Sequence, residues 1–124
     1  YSYAVFFTKY ADGIKTTEEL RVLITYDGTF RNYSADMLCQ FSGEEKNPFD
    51  MKKAEEAAHA RVKEIYGKKM EESDRVELDE EYRLTKLKDG SLAIFYTASI
   101  DMIKIDSHGG ELYTGARIEM VIMK

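Results

Sequence analysis

Between Leu20 and Tyr26 the chain alternates: Leu20, Val22, Ile24 and Tyr26 hold every second position, with Arg21, Leu23 and Thr25 between them. A two-residue period of this kind predicts a strand with one buried face. Ahead of it, Ser2 to Tyr10 is rich in aromatic and β-branched residues, with Val5, Phe6 and Phe7 at its centre, and reads as another strand. Ala11-Asp12-Gly13 breaks that strand. Asp27-Gly28 supplies the positive φ angles of a tight hairpin turn, and Thr29 to Ser34 returns as a third strand. Later in the chain, Val76 to Leu87 reads as a strand, with an interruption expected near Asp79-Glu80-Glu81, and Asp89-Gly90 turns it. Leu92, Ile94, Tyr96, Ala98, Ile100 and Met102 make the longest clean alternation, which predicts a central strand packed on a helix. His108-Gly109-Gly110 makes the next turn. Leu112 to Met123 closes the series with Ile118, Met120 and Ile122 on one face.

The period changes once. Met51, Ala54, Ala58, Val62 and Ile65 recur at three- and four-residue spacing, the apolar stripe of a helix. Asp50 is placed to cap its first turn, and Gly67 fits the left-handed position just past its end. That predicts a helix of about 16 residues, roughly 24 Å long. Ala54, Ala57 and Ala58 allow close approach to a sheet. Residues 39–49, with Gly43 and the only proline, Pro48, read as a connecting loop. The order along the chain is therefore β-β-β-α-β-β-β. It predicts an α+β fold: a single antiparallel sheet of five to six strands packed on one helix, cystatin-like in general shape. The helix stripe should face the strand carrying Ile94, Tyr96, Ala98 and Ile100. No linker is long enough to split domains, so residues 1–124 are expected to form one.

Composition narrows the function more than the fold. A chain of 124 residues, 44% hydrophobic and 33% charged, is long enough for one globular core. The net charge of −5, with its cations dispersed among glutamates, argues against nucleic acid as a partner, because phosphate recognition needs a concentrated basic face. No run approaches the ~18 consecutive apolar residues of a membrane span, so no membrane insertion is expected from this segment. One cysteine, Cys39, permits no disulfide within the chain. The sequence opens at Tyr1, already strand-like, which fits a piece of a longer exported or membrane-anchored protein.

Candidate chemistry is thin. His59 lies on the helix four residues from both Glu55 and Lys63, where an exposed imidazole is the ordinary outcome. His108 follows Asp106 in a glycine-rich turn, but two ligands do not make a metal site. Leu38, Gln40 and Phe41 around Cys39 predict a packed thiol rather than an activated one. Gly109-Gly110 leads into no helix that would lend amides to a phosphate. No catalytic, cofactor-binding or metal-binding residue is therefore expected, and the protein reads as a non-enzyme. The compositional excess is nine tyrosines; Tyr1, Tyr3, Tyr10, Tyr26, Tyr33, Tyr82, Tyr96 and Tyr113 fall in or beside strands. Tyrosine serves both interfaces and sheets.

Phe7-Thr8-Lys9-Tyr10-Ala11-Asp12-Gly13-Ile14, followed by the hairpin from Leu20 to Tyr33, resembles the repeat of PepSY-type and thermolysin-propeptide-type domains. The Ala54-Glu55-Glu56-Ala57 helix core and the strands through Tyr82 and Tyr96 extend the likeness. Asp106-Ser107-His108-Gly109 departs from the usual ending of such a unit. The outline also resembles the extracytoplasmic YycH/YycI-type regulators. Both resemblances imply a non-catalytic, extracytoplasmic bacterial module that binds protein: another protein, or another domain of the same precursor. The Ser2 to Tyr10 strand carries only Lys9 as a charge, which makes it the least guarded sheet edge. Tyr1, Tyr3, Val5 and Phe7 are the expected contact residues, and pairing of two copies through this edge would give a homodimer. The rival expectation is a small-ligand or enzymatic site on the concave face between helix and sheet, marked by convergence of Arg21, Arg83, Glu77 or His108.

Overall fold

The computed structural model describes residues 2–25, 27–28, 30–36 and 40–124, with side chains described for 3–25, 27–28 and 40–124. Six strands and one helix occur among them: β1 (Ser2–Ala11), β2 (Ile14–Thr25), β3 (Phe30–Asp36), α1 (Met51–Glu71), β4 (Arg75–Lys86), β5 (Leu92–Ile105) and β6 (Glu111–Ile122). The fold is α+β, with one helix and a mixed sheet. The expected all-antiparallel sheet is corrected at one place: β2 lies beside β4 in parallel, with Thr16 opposite Leu84. Parallel neighbours need a long crossover, and β3, the 40–50 loop and α1 supply it between β2 and β4. β2 also pairs antiparallel with β1 and β3, while β4 neighbours β5 and β5 neighbours β6.

The chain falls into two compact units, Tyr1–Pro48 with Arg83–Ala93, and Phe49–Tyr82 with Ile94–Lys124. β4 and β5 each contribute to both.

In the first unit, β1 and β2 turn on Asp12 and Gly13, whose φ angles of 51° and 76° are those of a tight two-residue hairpin. β2 starts six residues before the alternation that betrays it. Its opening stretch is polar yet buried: Thr16, Thr17 and Glu18 are enclosed. Each has a partner, since Thr16 Oγ1 donates to Lys9 O at 2.8 Å and Thr17 Oγ1 donates to Thr85 Oγ1 at 3.0 Å. Glu18 Oε1 accepts the backbone amides of Gln40 at 2.8 Å and Phe41 at 3.2 Å, and Lys9 Nζ sits 3.5 Å from Glu18 Oε2. Lys9 also donates to the Phe41 carbonyl. Burial pushes the Glu18 carboxyl up, but those two amides and Lys9 outweigh it and hold it below the ordinary value. Glu45 adds a second tether, accepting Lys86 Nζ at 2.8 Å together with the amides of Ser42 and Gly43. The carboxylates of Glu18 and Glu45 thus close residues 40–45 onto their strands.

The second unit has an apolar core. Tyr96, Ala98, Ile100 and Met102 of β5 pack with Ala58 and Val62 of α1 and Ile118 of β6, and Tyr66, Met70, Val76, Tyr82, Met120 and Ile122 close round them. Ile94 is also fully buried, outside that cluster. β5 and β6 pair without a slip from Ile94–Ile122 to Ile105–Glu111. Asp50 caps α1, its Oδ1 accepting the Lys52 amide at 3.0 Å.

Two expectations for α1 need correction. Gly67 does not end the helix, which continues to Glu71 and is closed by Glu72 in right-handed geometry. Lys68, Lys69, Met70 and Glu71 are all good helix formers, and Met70 adds another core contact, which offsets the ~1 kcal/mol that glycine costs inside a helix. Ile65 is not core: it is 46% exposed, and Tyr66 takes the inward place. The buried row runs Ala54, Ala58, Val62, Tyr66, Met70, a strict four-residue step that drifts round the helix rather than running straight along it.

Candidate functional site

β1 has β2 on one side and no other pairing among the described residues. Tyr3, Val5 and Phe7 stand opposite Ile24, Val22 and Leu20, so these six share one face of the hairpin by register. Phe6 lies on the other face opposite Arg21, whose guanidinium sits 5.9 Å from the ring centroid. Tyr3 is 57% exposed, Phe6 57%, Phe7 56% and Tyr10 52%. Large side chains uncovered on both faces of one strand are uncommon in a soluble chain. A register shift between Thr8 and Tyr10 breaks the ladder, which leaves Tyr3 to Thr8 as the regular part of the edge. Of the expected contact residues, Tyr3, Val5 and Phe7 lie here; Tyr1 is outside the described residues, as is Cys39.

The second candidate lies in the second unit, between the outer half of α1 and the start of β4. An open cleft of about 390 Å³ is lined by His59, Val62, Lys63, Gly67, Met70, Glu71, Val76 and Leu78. Its volume falls at the low end for small-molecule sites. The four residues proposed to mark a concave ligand site do not line it. Arg83 instead binds Glu19 Oε2 at 2.9 Å, Arg21 covers Phe6, Glu77 lies 3.5 Å from Arg75, and the His108 amide donates to Asp106 Oδ1 at 2.8 Å within its turn.

Beside the cleft sits a polar cluster that sequence reasoning missed. Glu80 Oε2 lies 2.7 Å from His59 Nε2 and accepts the Tyr96 hydroxyl at 2.6 Å and the Tyr82 hydroxyl at 3.3 Å. The two rings are 4.9 Å apart, tilted by 54°. Burial, reinforced by the Glu80 carboxylate, pushes both phenols well above their ordinary value. The interruption expected at Asp79-Glu80-Glu81 is absent, since β4 runs unbroken through it. Val76, Leu78, Glu80, Tyr82 and Leu84 keep the two-residue period, so an acid stands in an otherwise apolar row. That misfit was the available signal. His59 is half-exposed, as expected, but its partner is Glu80 across the fold rather than Glu55 or Lys63 along the helix.

Among the described residues no group of three or more His, Cys, Asp or Glu side chains could hold a metal ion. No helix among them is long and apolar enough to cross a membrane. Comparison with protein-family models, with curated proteins and with solved structures finds no match.

Proposed function

We propose that this chain is a non-catalytic protein-interaction or regulatory module of a bacterial envelope or secreted protein, and that it works by adding a strand to β1. The PepSY-like and YycH/YycI-like features of its sequence support the extracytoplasmic setting. The observation that carries strand addition is the β1 edge itself: unpaired outward among the described residues, with Lys9 as its one charge and with Tyr3, Phe6, Phe7 and Tyr10 more than half exposed. Backbone groups along such an edge supply affinity, and its side chains supply selectivity.

The occupant we commit to is a second copy of the same strand. An antiparallel pair centred on Phe6 would set Val5 against Phe7 and Tyr3 against Lys9, so no like charges oppose. Such an interface is isologous and closes as a dimer. A strand from another protein, or from another domain of the same precursor, would use the same groups.

Sedimentation equilibrium across a concentration series tests this. The chain should dimerise reversibly. Val5→Pro, which deletes a main-chain donor, and Phe7→Lys, which keeps every main-chain bond but puts a charge on the edge, should both leave monomers with unchanged circular dichroism. A chain that stays monomeric throughout, or a Phe7→Lys variant that dimerises like the parent, would overturn the reading.

A further inference from the structure

The cleft beside α1 is independent of the β1 edge and carries a separate reading. We propose that it binds a small amphipath with one carboxylate head and an unbranched apolar tail.

The apolar half of that chemistry is set by Val62, Met70, Val76 and Leu78, which line the cleft from both α1 and β4. The lining runs along the helix from His59 to Glu71, twelve residues, or about 18 Å at 1.5 Å per residue, so the space is elongated. That shape suits a chain rather than a compact ring.

Gly67 makes the room. A glycine inside a helix is unfavourable, and here it has no turn to make, because its backbone is ordinary helix. A Cβ at this position would meet Lys63 Cγ at 3.1 Å, closer than ordinary contact. The missing side chain lets the Lys63 stem lie along the helix surface and keeps the cleft wall open.

Lys63 supplies the head-group chemistry. Residues three and four away on a helix are its natural ion-pair partners, and around Lys63 these are Ala60, Tyr66, His59 and Gly67. None is an acid. Arg61, two residues earlier, has Glu64 at 2.9 Å, so the helix does pair its cations where the sequence allows. Among the described residues Lys63 has no ion pair. Glu80 is engaged by His59, Tyr82 and Tyr96, and Glu71, the acid in the cleft lining, stands two helical turns further on. A lysine in the wall of a largely apolar cleft, without an ion pair among the described residues, is complementary to a ligand carboxylate attached to a hydrocarbon tail.

Displacement of a fluorescent fatty-acid analogue from the intact chain tests the proposal, with decanoate and decylammonium as matched probes. Decanoate should displace at a concentration at least about tenfold below that for decylammonium. Lys63→Gln should erase that preference while leaving tail binding measurable. Gly67→Leu should abolish displacement by either probe, with a melting temperature no lower than the parent's, since leucine favours helix over glycine. Methyl resonances of Val62, Met70, Val76 and Leu78 should shift on titration with decanoate. Equal displacement by the two probes, undiminished binding by Gly67→Leu, or shifts confined to residues away from the cleft would each overturn the proposal. Dimerisation of the Gly67→Leu variant should match the parent's, which separates this site from the β1 edge.

Discussion

The two units hold themselves together by opposite means. The second buries Tyr96, Ile100, Met102, Val62 and Ile118 in a continuous apolar core between helix and strands. The first buries Ala11, Phe41, Leu84 and Ala93, and beside them Thr16, Thr17, Glu18 and Thr85. Apolar packing is non-directional and tolerates small rearrangement, whereas buried polar groups stabilise only when each partner is in place. The contrast places function differently in each. In the first unit the polar closure is spent near the 40–50 loop, and the far half of the β1–β2 hairpin is left with exposed aromatic side chains. In the second unit the apolar core is continuous and an open cleft runs along the outer half of α1, while Leu112 and Tyr113 of β6 are exposed as well.

The largest test of this contrast is Ile100→Ala. Ile100 is fully buried in the second unit's core, so truncation should lower unfolding free energy by about 2–5 kcal/mol. Ile65→Ala, on the same helix-bearing unit but 46% exposed, should cost well under half as much. Denaturant unfolding of both variants reads this, and equal losses would show that the drifting row ending in Tyr66 and Met70 is misplaced.

The four-residue drift also shows what the sequence could and could not reveal. Alternation found β2, β5 and β6, and the Asp50 cap and the switch of period found α1, because each is a local signal. The parallel contact of Thr16 with Leu84 has no local signature, since hairpin turns announce only neighbours in sequence. The burial of Thr16, Thr17 and Glu18 had no local signature either, because polar residues betray burial only through distant partners, here Lys9, Gln40, Phe41 and Thr85. Gly67 read as a stop because glycine favours that position on average, and its packing against Lys63 was invisible. The β1 edge was legible as a strand with a single charge, Lys9. The cleft was not, since its lining comes from residues 59–71 of one element and 76 and 78 of another.

Glu18→Ala should give the next largest effect, about 2–3 kcal/mol, because it leaves the amides of Gln40 and Phe41 and the Lys9 ammonium without their shared acceptor. The same group sets a pH dependence. Its folded value lies below the ordinary 4.5, so its contribution is complete above that value and is lost as pH falls through the folded value. Protection factors of the Gln40 and Phe41 amides, taken relative to intrinsic exchange at each pH, should therefore fall on acidification before those in β5 do. Protection falling together in both units would mean that they open as one, and the contrast between polar closure and apolar core would lose its thermodynamic meaning.

The smallest predicted effect lies at the opposite end of the pH scale and belongs to the second unit. Burial and the Glu80 carboxylate raise the phenols of Tyr82 and Tyr96 above their ordinary 10.0. A raised value means that the folded state holds the proton more tightly than the unfolded chain. Below pH 10.0 both states are protonated and the contribution is whole; as pH climbs past it, the unfolded chain releases protons first and stability declines until the folded phenols also ionise. The denaturation midpoint should fall above that pH, with tyrosinate absorbance showing a set of phenols that ionise only on unfolding. Tyr96→Phe removes the 2.6 Å bond to Glu80 and should cost about 1.5–3 kcal/mol at neutral pH, the range for hydrogen bonds to charged groups. Tyr82→Phe, whose bond to the same oxygen is 3.3 Å, should cost less, nearer about 1 kcal/mol. Each substitution should flatten the alkaline decline, and the double variant should flatten it most. If the alkaline slope is unchanged in the double variant, the cluster does not set the alkaline limit, and Glu80 holds His59 without the two phenols contributing to stability.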